Sequence, residues 1–168
     1  FLTVANIEDI LMAIALTVIV ASGQMMAIII RGIDLSVSSI IGLVAMMVGL
    51  FIRDKMDFPM GLTLLMGIGL GILLGSLNGG LITLGKLPPL IATLATMSIY
   101  RGMVIVFSKG EWVDTYRIAD SFLYLTRMPI LGIRALIWYA VAVALVIALM
   151  LKYTRLGRQI YALGSNPS

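Results

Sequence analysis

The residues with chemistry to offer gather in one short stretch, Arg31-Gly32-Ile33-Asp34-Leu35-Ser36-Val37-Ser38-Ser39, where two uncharged apolar runs at residues 10–30 and 35–52 meet. An aspartate and an arginine held that close to a hydrocarbon interior cost roughly 2.5–3.5 kcal/mol each on insertion scales, so they need a reason to be there. Two reasons fit the residues. In one, Asp34 or Ser36 caps the next helix in a tight turn at the membrane surface. In the other, the acid and its neighbouring hydroxyls serve a solute or an ion. Catalysis fits poorly. The chain has no histidine and no cysteine, which removes a Ser-His-Asp triad, a thiol nucleophile, haem ligation through histidine and zinc sites built on those residues. Asp34 has no second acid within the apolar runs to form an aspartyl pair. Gly75-Ser76-Leu77-Asn78-Gly79 misses the Gly-x-Ser-x-Gly spacing of a nucleophile elbow.

Other polar residues inside apolar runs include Gln24, Ser76, Asn78, Thr93, Thr96, Ser98 and Arg101. Thr93 and Thr96, three apart, share a helix face, with Arg101 near it. Hydrogen bonds between helices, worth roughly 0.6 kcal/mol each, account for the threonines. Arg101 needs more: a carbonyl or acidic partner, or a snorkelled path to the interface. The 12 methionines are scattered and read as gap fillers between helices, not as a metal relay.

Such residues require spanning elements to position them, and the composition supplies these. Of 168 residues, 61% are hydrophobic and only 12% charged, with a mean hydropathy of +1.10. Soluble domains run at about 45–50% apolar and about 25% charged, so the fold class is all-α, a polytopic transmembrane helical bundle. Five spans fit, at about 10–30, 35–52, 58–85, 87–108 and 135–151, within one transmembrane domain covering the whole chain. Pro88-Pro89 opens the fourth, where a missing amide donor suits a helix start. Gly67, Gly71, Gly75 and Gly79 recur every fourth residue along the third and predict a close-packing helix face. No Gly-Lys-Ser/Thr ending or preceding strand makes them a phosphate loop.

Charge sets the orientation. Lys152, Arg155 and Arg158 have no acidic neighbour and read as cytoplasmic, together with Arg31, Asp34 and Lys86. The N-terminal end then lies outside. The net charge of +4 has no basic stripe or polar domain behind it, which excludes a nucleic-acid partner. The longest polar connector, residues 109–134, carries Trp112, Tyr116, Phe122 and Tyr124 among charges, the pattern of an interfacial segment. Trp112 and Tyr116 would alternatively line an entrance for a sugar or touch a partner protein. The chain begins with Phe and ends just past a basic segment, as expected of an internal piece of a longer polypeptide.

Three stretches follow one another in order across nearly the whole chain. The first is Gly32-Ile33-Asp34-Leu35-Ser36-Val37 with Ser39. The second runs from Asn78-Gly79 through Lys86, Pro88, Ile91-Ala92-Thr93-Leu94 and Thr96 to Tyr100-Arg101-Gly102. The third is Thr154, Gly157-Arg158, Tyr161-Ala162, Gly164 and Asn166. Together they resemble the permease subunits of bacterial ABC importers for monosaccharides, of the ribose-transporter type. Ser38 and Ala95 stand where that family usually has glycine, and Ser108-Lys109-Gly110-Glu111-Trp112-Val113 is more similar to its rhamnose and autoinducer-2 branch.

The resemblance implies a mechanism with several partners. Two permease chains, identical or paralogous, would enclose the path through the bacterial inner membrane, surrounded by lipid. A periplasmic binding protein would deliver the sugar, and cytoplasmic ATPase subunits would bind and hydrolyse ATP. This chain would then hold no cofactor or metal and carry no catalytic residue. Asp34, Ser36, Asn78, Thr93 and Thr96 would serve the substrate pathway or its packing. Thr154, Gly157, Arg158, Tyr161, Gly164 and Asn166, in the segment 152–168, would begin the coupling to the ATPase. An ion-coupled secondary transporter, using Asp34 in a broken helix, is the alternative.

Overall fold

The computed structural model describes residues 3–54, 59–111 and 120–165. In chain order the elements are α1 (Val4–Ile29), α2 (Val37–Asp54), α3 (Met60–Thr83), α4 (Pro89–Ser108), α5 (Asp120–Arg127), strands β1 (Pro129–Ile130) and β2 (Ile133–Arg134), α6 (Ala135–Tyr153) and α7 (Arg155–Ser165). Among the described residues, α1, α3, α4 and α6 are long and apolar enough to cross a membrane, while Val37–Arg53 of α2 is apolar but shorter. The all-α membrane bundle is what forms. The connector after α4 is more structured than its polarity announced, for it contains α5 and a small antiparallel hairpin. Trp112 and Tyr116 lie outside the described residues.

Local chemistry fixes the helix ends. Thr3 Oγ1 accepts the Asn6 amide at 3.4 Å, so α1 starts ahead of the apolar run. At its other end Arg31 N–H donates to Ile28 O (2.9 Å) and Gly32 N–H to Ala27 O (2.8 Å), the paired bonds of a Schellman turn. Arg31 takes the left-handed conformation there, with φ of 60°, where glycine is usual. Lys86 after α3 and Lys109 after α4 do the same, each with φ of 52°. A cation at a helix C-terminus gains from the macrodipole, which offsets part of the backbone strain.

The chain divides into two compact units, one of residues Phe1–Gly32 with Tyr124–Ser168 and one of Ile33–Leu123. In the first, α1 lies along α6, and α7 packs against both. Arg134 Nε donates to Glu8 Oε2 at 3.1 Å and joins the start of α6 to the first turns of α1. Trp138 Nε1 and Tyr139 OH donate to Ile130 O and Leu125 O, as aromatic residues do at a membrane interface. In the second unit α2 packs on both α3 and α4. Its core is Leu43, Leu74 and Tyr100, with Met47 and Met103 among the side chains filled in around them.

Among the described residues the glycine stripe meets a neighbour only at Gly67. A Cβ built on Gly67 would touch Val48 (3.6 Å) and Val44 (3.9 Å), but one on Gly71, Gly75 or Gly79 meets nothing within 4 Å. A four-residue step overshoots a 3.6-residue turn by about 40°, so Gly75 and Gly79 wind onto the exposed side, while Gly71 borders an apolar pocket that Val44, Val48 and Gly67 also line. The buried face is held by Thr63, Leu74 and Asn78 instead.

Candidate functional site

The stretch from Ile33 to Ser39 is held in the second unit by polar groups that α3 and α4 bring to it. Asp34 Oδ1 accepts the backbone N–H of Ser36 at 2.8 Å and its hydroxyl at 2.6 Å. The Ser36 carbonyl accepts the Ile40 amide (2.9 Å), the first helical bond of α2, and the Ser39 hydroxyl (2.7 Å). Asp34 thus braces the residue that opens the helix, and the Ser36 side chain is released from capping.

That hydroxyl is used elsewhere. Asn78 Nδ2, from the last two turns of α3, donates to Ser36 Oγ at 2.6 Å. Tyr100 OH, from α4, lies 3.3 Å from Asn78 Oδ1 and 3.1 Å from Leu74 O, and its single proton serves these two acceptors. The bonds form a directed chain: Tyr100 donates to Asn78, Asn78 to Ser36, and Ser36 to the Asp34 carboxylate. Each donor is polarised by the next, and the negative charge at the end strengthens the series. A second tie runs from Thr93, whose hydroxyl lies 2.9 Å from Pro89 O in its own helix and 3.2 Å from Ile33 O in the connector.

The sequence-based candidates therefore fall into distinct groups. Asp34, Ser36, Asn78 and Thr93 come together. Thr96 shares their buried surroundings, but its hydroxyl donates within α4, to Ala92 O (3.1 Å) and Thr93 O (3.2 Å). Ser36 is 0% exposed, Thr93 1%, and Asn78 and Thr96 each 4%. Side chains so enclosed and so bonded offer no surface to a solute in this conformation, and Ser36 Oγ is out of reach as a nucleophile. Asp34 alone of the five keeps partial exposure. Arg101 is exposed on α4, away from the buried face that holds Thr93, Thr96 and Tyr100. Among the described residues no group of acids, histidines or cysteines could hold a metal ion.

Tyr100 is the residue that sequence reasoning missed for this site. A tyrosine in an apolar run reads as packing or interface. Its position four residues after Thr96 and seven after Thr93, on their face, was the available signal.

The second candidate group lies in α7. Thr154 joins α6 to α7 with one hydroxyl, which donates to Met150 O at 2.6 Å and accepts the Gly157 amide at 3.1 Å. A Cβ on Gly157 would collide with the backbone of Leu151, and one on Gly164 with the carbonyl of Ile29. Thr154, Gly157 and Gly164 thus set how α7 lies on the ends of α6 and α1. Arg158 and Tyr161 are exposed. Asn166 lies outside the described residues.

With this geometry in hand, likeness to known proteins becomes informative. Residues 6–168 match the family described as branched-chain amino acid transport system / permease component. The chain belongs to this permease family. The Autoinducer 2 import system permease protein LsrC of Salmonella typhimurium is 31% identical over 166 residues, covering 99% of this chain and 47% of the relative. The D-allose transport system permease protein AlsC of Escherichia coli is 35% identical over 166 residues, covering 99% and 50%. The Ribose import permease protein RbsC of Haemophilus influenzae is 36% identical over 168 residues, covering 99% and 51%. The chain spans about half the length of the curated relatives it matches. No solved structure matches it. For this permease chain, the resemblance read from its three motifs and the likeness of whole sequences agree on one family.

Proposed function

We propose that the chain is part of the transmembrane subunit of an ATP-driven, binding-protein-dependent importer that moves a monosaccharide or a related sugar-like solute across the bacterial inner membrane. The observation that carries this is the family match over residues 6–168, joined by relatives named as permeases for ribose, D-allose and autoinducer 2. Those names favour an importer over the ion-coupled alternative. In this reading ATP is bound and hydrolysed on a separate cytoplasmic subunit, a second permease chain completes the path, and a periplasmic protein supplies the solute. The basic run Lys152, Arg155 and Arg158 supports a cytoplasmic C-terminal end, and with five crossings the N-terminal end would lie outside.

Within that machine the Tyr100–Asn78–Ser36–Asp34 chain holds the connector as a fixed joint between α2, α3 and α4. Helix α7 offers its open side, with Leu156 and Leu163 about 60% exposed, to the ATPase. The test is the ATPase activity of the complete permease reconstituted with its cognate ATPase, with and without sugar-loaded binding protein. Stimulation that tracks particular sugars is expected. Failure of the ATPase to bind would sink the coupling role of α7.

A further inference from the structure

Beside the α6–α7 bend, Met25, Ala148, Leu151, Lys152, Arg158 and Tyr161 line an open pocket of about 580 Å³. Its cations sit on two elements: Lys152 in the last turn of α6, where a spanning helix reaches headgroup depth, and Arg158 in the first turns of α7. Among the described residues neither pairs with a carboxylate. Lys152 Nζ stands 5.2 Å from the centre of the Tyr153 ring. Ala148, in the wall of the pocket, also lines an apolar groove of about 470 Å³ between α1 and α6. The groove is kept open by small side chains, Ala15, Ala140 and Ala144, with Leu11, Ile14 and Val18 along α1.

A doubly cationic pocket that shares the wall residue Ala148 with a hydrocarbon-lined groove matches the two halves of one kind of molecule. We propose that the pocket and groove together bind an anionic phospholipid. Its phosphodiester lies between Lys152 and Arg158 within reach of the Tyr161 hydroxyl, and one acyl chain follows the α1–α6 groove. Basic pockets at the ends of spanning helices attract such headgroups electrostatically. A soluble anion would use the cations but leave the groove empty, and a neutral lipid would use the groove but leave the cations uncompensated. The site turns Arg158 and Tyr161 to one flank of α7, opposite the flank that carries Leu156 and Leu163. A lipid seated here touches α1, α6 and α7 together and braces α7 in place. The inference needs α6 to cross the membrane but does not need the importer reading, so either can fail without the other.

The test uses the full-length permease in detergent, titrated with phosphatidylglycerol or phosphatidylcholine of matched acyl chains, with retained lipid counted by native mass spectrometry. Phosphatidylglycerol is expected to be retained over phosphatidylcholine by about tenfold. Joint Lys152→Gln and Arg158→Gln substitution should remove most of that preference, whereas Arg155→Gln, on the outward side of α7, should leave it. The swap Lys152→Arg with Arg158→Lys keeps the charge and should keep the preference, which separates loss of the site from loss of the fold. Equal retention of the two lipids by the unaltered protein overturns the proposal. So does an equal drop with Arg155→Gln, or a preference that millimolar inorganic phosphate abolishes, since the pocket would then take a soluble anion.

Discussion

Ser36 serves as donor and acceptor with one oxygen, and its removal tests the whole chain of bonds. Ser36→Ala leaves the Asn78 amide without its acceptor in a buried site, at a cost of about 1–3 kcal/mol. Thermal unfolding of the full-length protein in detergent should register that loss. Tyr100→Phe should cost less, about 1 kcal/mol, because Asn78 keeps its bond to Ser36. At Asp34 the comparison is between Asn and Ala. Asparagine retains an oxygen able to accept both Ser36 bonds. Asp34→Asn should therefore sit between the parent and Asp34→Ala in stability; equal damage from both would mean that charge, not the acceptor, holds the connector. The importance of Asp34, Ser36, Asn78 and Thr93 was legible because polar groups in apolar runs demand partners. Their pairing was not, since Ser36 and Asn78 are 42 positions apart and only the packing of α3 on α2 joins them.

At the scale of elements, the glycines separate two kinds of position. Gly67→Leu should loosen α3 from α2, because the valines already touch the place where a Cβ would sit. Gly75→Leu should leave this chain folded, because nothing lies within 4 Å of its Cβ position. A monodisperse Gly75→Leu protein beside an aggregated Gly67→Leu protein in size-exclusion chromatography is the expected pattern. A period of four traces a slow spiral on the helix, so among the described residues only its first glycine meets a neighbour. The helix starts were legible: Pro88 and Pro89 open α4 where missing donors cost nothing. The left-handed ends at Arg31, Lys86 and Lys109 were not, since in each case the glycine stands beside the left-handed residue and not at it. For α7, Gly157→Ala would force the helix off Leu151, so ATPase binding should fall while the spans still assemble. A pull-down with the cognate ATPase measures it.

For the whole molecule, apolar composition alone carried the fold class, because few other compositions leave so little charge for a surface. Orientation rests on the asymmetry of lysine and arginine, and it can be checked directly. This chain has no cysteine, so single substitutions in it report cleanly once any cysteine elsewhere in the full-length protein is replaced by serine. Leu84→Cys and Leu131→Cys replace side chains that are 87% and 86% exposed. An impermeant maleimide should reach position 131, at the hairpin tip, from outside intact cells, and position 84 only after the membrane is opened. Labelling of both from the same side would rule out α4 as a complete crossing.

The packing of α7 carries a mechanical consequence. At Gly157 and Gly164 backbone meets backbone, with no side chain between to compress or slide. A load applied to the free flank of α7 therefore meets a stiff lever. Torque on α7 would pass into α6 through the hydroxyl-stitched elbow at Thr154 and into α1 through the Ile29 carbonyl, so the two spans are expected to swing together as one shaft.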